Sequence, residues 1–146
     1  MADQKISELT AASQLSGSES IPGVQSGSTK KTTAREIAAI GYQSIVTDNA
    51  ASRTLALTDL GKYIRMTSGS ANSITVPPNA SVAFEIGTTL NGVQAGAGKT
   101  TISPGSGVTI NKPTGYNSAC RAQGAAWGLV KVATNEWDLF GDLEIT

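Results

Sequence analysis

The residues of this chain that could do chemistry are few, and they fall in a few places. Gly96-Ala97-Gly98-Lys99-Thr100-Thr101 ends like a phosphate-binding loop. Such a loop needs its first glycine five residues before the Gly-Lys pair, where this chain has Val93. It also needs a helix to follow, with its N-terminus facing the phosphates. Here Thr100-Thr101-Ile102-Ser103 is β-prone and is followed by Pro104. The segment therefore reads as a glycine hairpin loop. Glu136, Asp138, Asp142 and Glu144 crowd the C-terminus and could serve a hard cation or an acid–base pair. Glu136 and Asp138, however, alternate with Trp137 and Leu139, which is how a half-buried strand shows its solvent face. An acidic strand also discourages edge-to-edge pairing. Trp127, Trp137 and Phe140 form a candidate aromatic cluster, read as the core of a final hairpin or as a trimer contact. With Tyr116, the two tryptophans could instead make a carbohydrate-stacking platform. Tyr42 and Tyr63 are scattered. Cys120, beside Ala119, reads as a small buried apolar residue.

What is missing constrains function more than what is present. The chain of 146 residues has no His and one Cys. A Ser-His-Asp or Cys-His pair cannot form, an ordinary zinc site lacks ligands, and one chain cannot close a disulfide. No catalytic residue, metal or cofactor is expected. Eleven basic residues balance eleven acidic ones, so there is no electrostatic grip on nucleic acid or an anionic membrane. The N-terminus lacks the apolar run of a signal peptide, and no stretch approaches a membrane helix. Synthesis in the cytoplasm is expected.

The elements that must position these residues follow from composition and period. Gly, Ser and Thr make up about a third of the chain, and charge is sparse. That is the texture of an all-β protein with many turns. From Arg53 onward, period-two runs recur between turn signals. Candidate strands are Arg53 to Leu57, Tyr63 to Thr67, Ser73 to Val76, Val82 to Phe84, Thr89 to Gln94, Lys99 to Ile102, Val108 to Ile110, Cys120 to Gln123, Ala126 to Val132 and Glu136 to Phe140. Thr134-Asn135 turns the last hairpin. This spacing predicts an antiparallel β-sandwich or β-barrel over 54–146. Residues 42–53 read as a linker, with room for a strand at Ser44 to Thr47.

Residues 1–41 have a different texture, of short pieces broken by Ser and Gly. Ser20 to Gln25 is extended, Ser26-Gly27-Ser28 turns, and Thr29 to Thr32 can pair back as a polar edge strand. Thr33-Ala34-Arg35-Glu36 forms a capping box for a short helix carrying Ile37 and Ile40 and ending at Gly41. Two turns of helix are not stable alone, so this part must dock on something. It is read as an attachment module.

At this point the order of motifs resembles structural proteins of tailed-bacteriophage virions. Lys5-Ile6-Ser7-Glu8-Leu9-Thr10-Ala11-Ala12, then Glu19-Ser20-Ile21-Pro22-Gly23-Val24-Gln25-Ser26-Gly27, then Thr29-Lys30-Lys31-Thr32-Thr33, are similar to an N-terminal module that precedes phage fibres and other appendages. Ile74-Thr75-Val76-Pro77, Gln94-Ala95-Gly96-Ala97-Gly98, Gly107-Val108-Thr109-Ile110-Asn111 and Trp137-Asp138-Leu139-Phe140-Gly141-Asp142-Leu143 follow in the order of a β domain of such proteins. The resemblance implies a virion component and a homotrimer. At this length the chain is expected to lack the long shaft and tip of a receptor-reaching fibre. It fits a capsid decoration (cement) protein or short head fibre on the outer capsid surface. Its partner would be the major capsid protein, or tail and portal-proximal proteins if it is a short tail-fibre or baseplate adaptor. Ile6, Leu9, Ile21, Val24 and Ile37 are the expected apolar anchors for shell attachment.

Overall fold

Hydrophobic residues at every second position of successive runs bury one side of each strand, and two sheets share the resulting core. The computed structural model describes residues 20–25, 28–33 and 43–146. The chain divides at 42/43 into two compact units. In the first, β1 (Ser20–Gln25) and β2 (Ser28–Thr33) pair antiparallel, Ser20 opposite Thr33 and Gln25 opposite Ser28. Thr33, the expected cap of a short helix, ends β2; the rest of that expected helix, 34–41, lies outside the described residues.

The second unit holds β3 (Ser44–Asp48), β4 (Ser52–Thr54), β5 (Lys62–Met66), β6 (Asn72–Val76), β7 (Thr89–Gln94) and β8 (Thr100–Pro104). It continues with β9 (Thr109–Asn111), β10 (Tyr116–Cys120), β11 (Ala126–Ala133), β12 (Glu136–Gly141) and β13 (Leu143–Ile145). One sheet has the order β3-β5-β7-β11-β12-β9, the other β13-β10-β8-β6-β4. From β3 to β8 the chain therefore crosses between the sheets at every step. Each strand lies parallel to the strand two before it. Ile45, Tyr63 and Asn91 occupy equivalent positions of three successive turns in one sheet, and Arg53, Ile74 and Ile102 in the other. The last turn is longer because segment 77–88 is inserted, without strand structure, before β7.

The mainly β class is as expected; the strand directions are not. β3 to β8 form a parallel coil, and only the far half is antiparallel: β11 on β7, β12 on β11, β10 on β8 and β13 on β10. β9 then runs parallel to β12. Residues 42–53, expected as a linker with room for a strand at Ser44 to Thr47, carry β3 at that place and most of β4, the first turn of the coil. Leu55 is buried, but Leu57 begins a single 3-10 turn and is exposed, so the two do not share a strand face. Val82 to Phe84 form no strand, and Cys120 ends β10 instead of opening a strand.

The glycine segment explains why the coil is parallel. It is no hairpin loop: it carries the chain from β7 in one sheet to β8 in the other. It stacks on the corner Thr67 to Ser70 one turn below, with Gly96 N–H donating to the Met66 carbonyl at 2.8 Å and Gly98 N–H to the Ser68 carbonyl at 3.0 Å. A Cβ at Gly98 would stand 1.9 Å from the Ser70 carbonyl oxygen. Glycine is needed here for close backbone approach. Beneath the corner, buried Asn72, Gln94 and Thr100 satisfy one another and the backbone. Thr100 Oγ1 donates to Asn72 Oδ1 at 2.8 Å, and Thr100 N–H to Gln94 Oε1 at 3.0 Å. Buried polar groups are stable only when bonded in this way.

The core between the sheets is built on Leu55, Ile64, Met66, Ile74, Ile102 and Leu129, with Trp127 and Trp137 as its largest members. Phe84 meets Trp137 edge-on at a ring separation of 5.5 Å. Gly92 leaves room for the Trp127 indole, since a Cβ there would stand 2.7 Å from Cζ2. Each large side chain buried this way contributes roughly 1.5–3 kcal/mol.

Candidate functional site

The outward faces of the two sheets differ in chemistry. On the five-stranded sheet, the parallel register stacks hydroxyl on hydroxyl: Ser52, Ser73 and Thr101 in one row, Thr54, Thr75 and Ser103 in the next. This is a polar face of small side chains.

The six-stranded sheet turns out a face with a different texture. One row runs Ile45, Tyr63, Asn91, Gly128 and Phe140 in register across five strands. The next row is Thr47, Arg65, Val93 and Ala126, and on the other side lie Thr89, Val130, Asp138 and Asn111. Ile45 is 68% exposed and Phe140 50%, both far from the usual fate of large apolar groups. Phe140 covers Gly128, whose missing side chain lets the ring sit over β11. Charge is confined to Arg65 on one side and to Glu136 and Asp138 on the other. A largely uncharged face that exposes large apolar side chains, with charge at its sides, is the arrangement of an interaction surface. Within it, Asn91 Oδ1 is shielded from solvent and has no hydrogen-bond donor.

The candidate residues named from sequence separate. Trp127 and Trp137 lie in the core, 2% and 1% exposed, so neither is available for sugar stacking. Phe140 parts from them and points to the opposite side of the sheet. Tyr116 is half-buried and packs against the core. Ile6, Leu9 and Ile37 lie outside the described residues. Ile21 and Val24 lie on β1, opposite Thr32 and Thr29.

The four C-terminal acids do not converge on one site: two share Asn111, and the other two pair with different cations. Asn111 Nδ2 donates to Glu136 Oε1 at 2.8 Å and to Asp138 Oδ1 at 2.9 Å. Asp142 takes a two-pronged contact from Arg121, at 2.7 and 2.9 Å, which holds its carboxyl below the usual range. Glu144 pairs with Lys99 and accepts from Asn117, and both lower its pKa. Among the described residues no group of three or more His, Cys, Asp and Glu is arranged to hold a metal. Cys120 is fully buried, and burial pushes its thiol up to about 11.

The sequence leaves room for a strand at Ser44 to Thr47 but does not single out Ile45, whose place in the alternation Ser44-Ile45-Val46-Thr47 is the available signal. Sequence reasoning also missed Lys131, a lysine at an inward position of β11 after Trp127 and Leu129. No protein-family model matches the chain, and no curated protein matches it either.

Proposed function

We propose that this chain is a structural component of a tailed-bacteriophage virion, a capsid decoration protein that binds the assembled head as a homotrimer and stabilises it. The observation that carries the reading is the apolar outer face of the six-stranded sheet, from Ile45 to Phe140. A rigid two-sheet body with one hydroxyl face and one apolar face suits a part that assembles and braces. The ordered resemblance of its motifs to phage virion proteins supplies the context.

In this reading the apolar face forms the contacts among three copies. The N-terminal unit, with Ile6, Leu9, Ile21, Val24 and Ile37, attaches to the major capsid protein. A ligand that binds only the closed shell stabilises it by mass action. Three arms on one body raise the effective affinity without any new contact.

Light scattering of the purified chain tests the assembly: the reading expects three times the 14.9 kDa chain mass. Addition to undecorated heads tests the activity. The expected result is saturable binding over the head surface and a higher resistance to heat or osmotic shock. Binding confined to tails would replace the decoration role with the adaptor role, and a monomer that binds no particle would overturn both.

A further inference from the structure

Along β11, Trp127, Leu129 and Lys131 take successive inward positions, so the alternation that fills the core ends on an ammonium group. Lys131 is 2% exposed. Its Nζ donates to Asn79 Oδ1 and to the Phe84 carbonyl oxygen, each at 2.5 Å. An ammonium has three N–H groups, and these two acceptors use two of them. None of the ion pairs among the described residues involves Lys131. A buried cation without a counter-ion is costly unless its remaining donor is also met.

Both acceptors line a cleft of about 220 Å3 that also includes Glu85, Ile86 and Thr134. Its walls are pinned. Asn79 N–H donates to Asn135 Oδ1 at 2.8 Å, Gly87 N–H to the Lys131 carbonyl at 2.8 Å, and Lys131 N–H to the Thr88 carbonyl at 3.0 Å. Segment 77–88 is thus clasped to the β11–β12 hairpin around the ammonium group.

We propose that this cleft binds the carboxylate group of a small organic acid, held by the third N–H of Lys131 with the carbon skeleton against Ile86. Three features select this class. Among the described residues the only cation lining the cleft is Lys131, and Glu85 lines it too, so a singly charged anion is favoured over a phosphate of nearly double charge. The size falls below the roughly 300 Å3 at which drug-sized ligand pockets begin, which limits the ligand to a few carbons or a single sugar acid. Ile86 is 65% exposed and offers an apolar contact at the cleft.

The test is titration of the full chain by amide NMR at constant ionic strength. Acetate and glucuronate are the acids, with acetamide, glucose and inorganic phosphate as comparison ligands. Saturable shifts at Phe84, Glu85, Ile86 and Thr134 are expected with the acids and not with the neutral compounds. Saturation by both acids identifies the carboxylate alone as the ligand; saturation by glucuronate only identifies a sugar acid. Lys131→Met should weaken binding about tenfold or more, the worth of one charged hydrogen bond. If that variant does not fold, Glu85→Gln decides: removal of the like charge should tighten acid binding. Equal shifts from acids and neutral compounds, tighter binding of phosphate, no saturation in the unaltered protein, or no tightening in Glu85→Gln would each overturn the proposal.

Discussion

Phe140 and Gly128 are register partners on adjacent strands, and the ring occupies the space where a side chain at 128 would stand: a Cβ there would lie 2.4 Å from Phe140 Cζ. The pair gives the six-stranded sheet a low, apolar outer face. Gly128→Ala should push the ring aside without breaking the sheet, because the half-exposed ring has solvent to swing into. Phe140→Ala should leave the fold intact. If this face joins the copies, truncating its exposed aromatic costs about 2 kcal/mol or more of association. Sedimentation of the Phe140→Ala variant should then show dissociation at concentrations where the unaltered chain stays assembled. Unchanged assembly would place the contact elsewhere on the molecule.

Gly98 is the opposite kind of glycine. Its nearest neighbours are backbone atoms of Ser70, which cannot turn aside as a ring can. Gly98→Ala must separate the two stacked corners. It should also disturb the Asn72 amide, which donates to the Gly98 carbonyl at 3.3 Å. A loss of about 3 kcal/mol or more is expected, in the range of strained or overpacked core sites. Urea unfolding would measure it, and a loss as small as that of Gly128→Ala would show that the corners are loosely stacked.

These two glycines also mark how far the sequence could be read. Period-two alternation located Thr89 to Gln94 and the β11–β12 hairpin, because there the burial pattern and the turn at Thr134-Asn135 are local signals. It could not reveal that Gly96 and Gly98 pass the chain to another sheet. Whether a glycine turn reverses a strand or rounds a corner depends on what it stacks against, here residues 67–70. Trp127 and Phe140 were grouped by proximity in sequence, yet lie on opposite faces. Trp137, three residues before Phe140, is likewise inward, and its opposite parity to Phe140 is already contained in the alternation along β12. Ile45 and Lys131 break the usual rule for their residue types, one an exposed isoleucine and the other a buried lysine, so residue type alone does not place them.

Cys120 offers a direct probe of the core. It belongs to the central cluster, and burial raises its pKa to about 11. At neutral pH the group is a thiol shielded from reagents, whereas thiolate is the reactive form. A disulfide-exchange reagent should therefore label native protein only through opening of the fold. The labelling rate should rise with urea in parallel with unfolding seen by tryptophan fluorescence, since Trp127 and Trp137 lie in the same core. Rapid labelling without urea would mean that β10 opens separately from the rest.

Arg53 takes the inward position of β4 that Ile74 and Ile102 take in the next two turns, so the first turn of the coil ends the core with charge. Its guanidinium pairs with Asp48 at 2.7 Å and with Asp59, whose other oxygen accepts the Ala56 N–H at 3.0 Å. The Ala50 N–H, then Arg53, hold the Asp48 carboxyl below its ordinary 3.8. A group whose folded pKa is depressed contributes stability that is complete above its unfolded value and lost as pH falls through the folded one. Asp48→Asn should therefore cost about 1–3 kcal/mol near neutral pH, the range for hydrogen bonds to charged partners, discounted for partial exposure. The difference from the unaltered protein should shrink as pH drops below 3.8 and the native carboxyl takes up its proton. Urea melts from about pH 7 down to pH 2 would follow it. A gap that stays constant across that range would show that Asp48 acts through shape and neutral hydrogen bonding, and not through its charge.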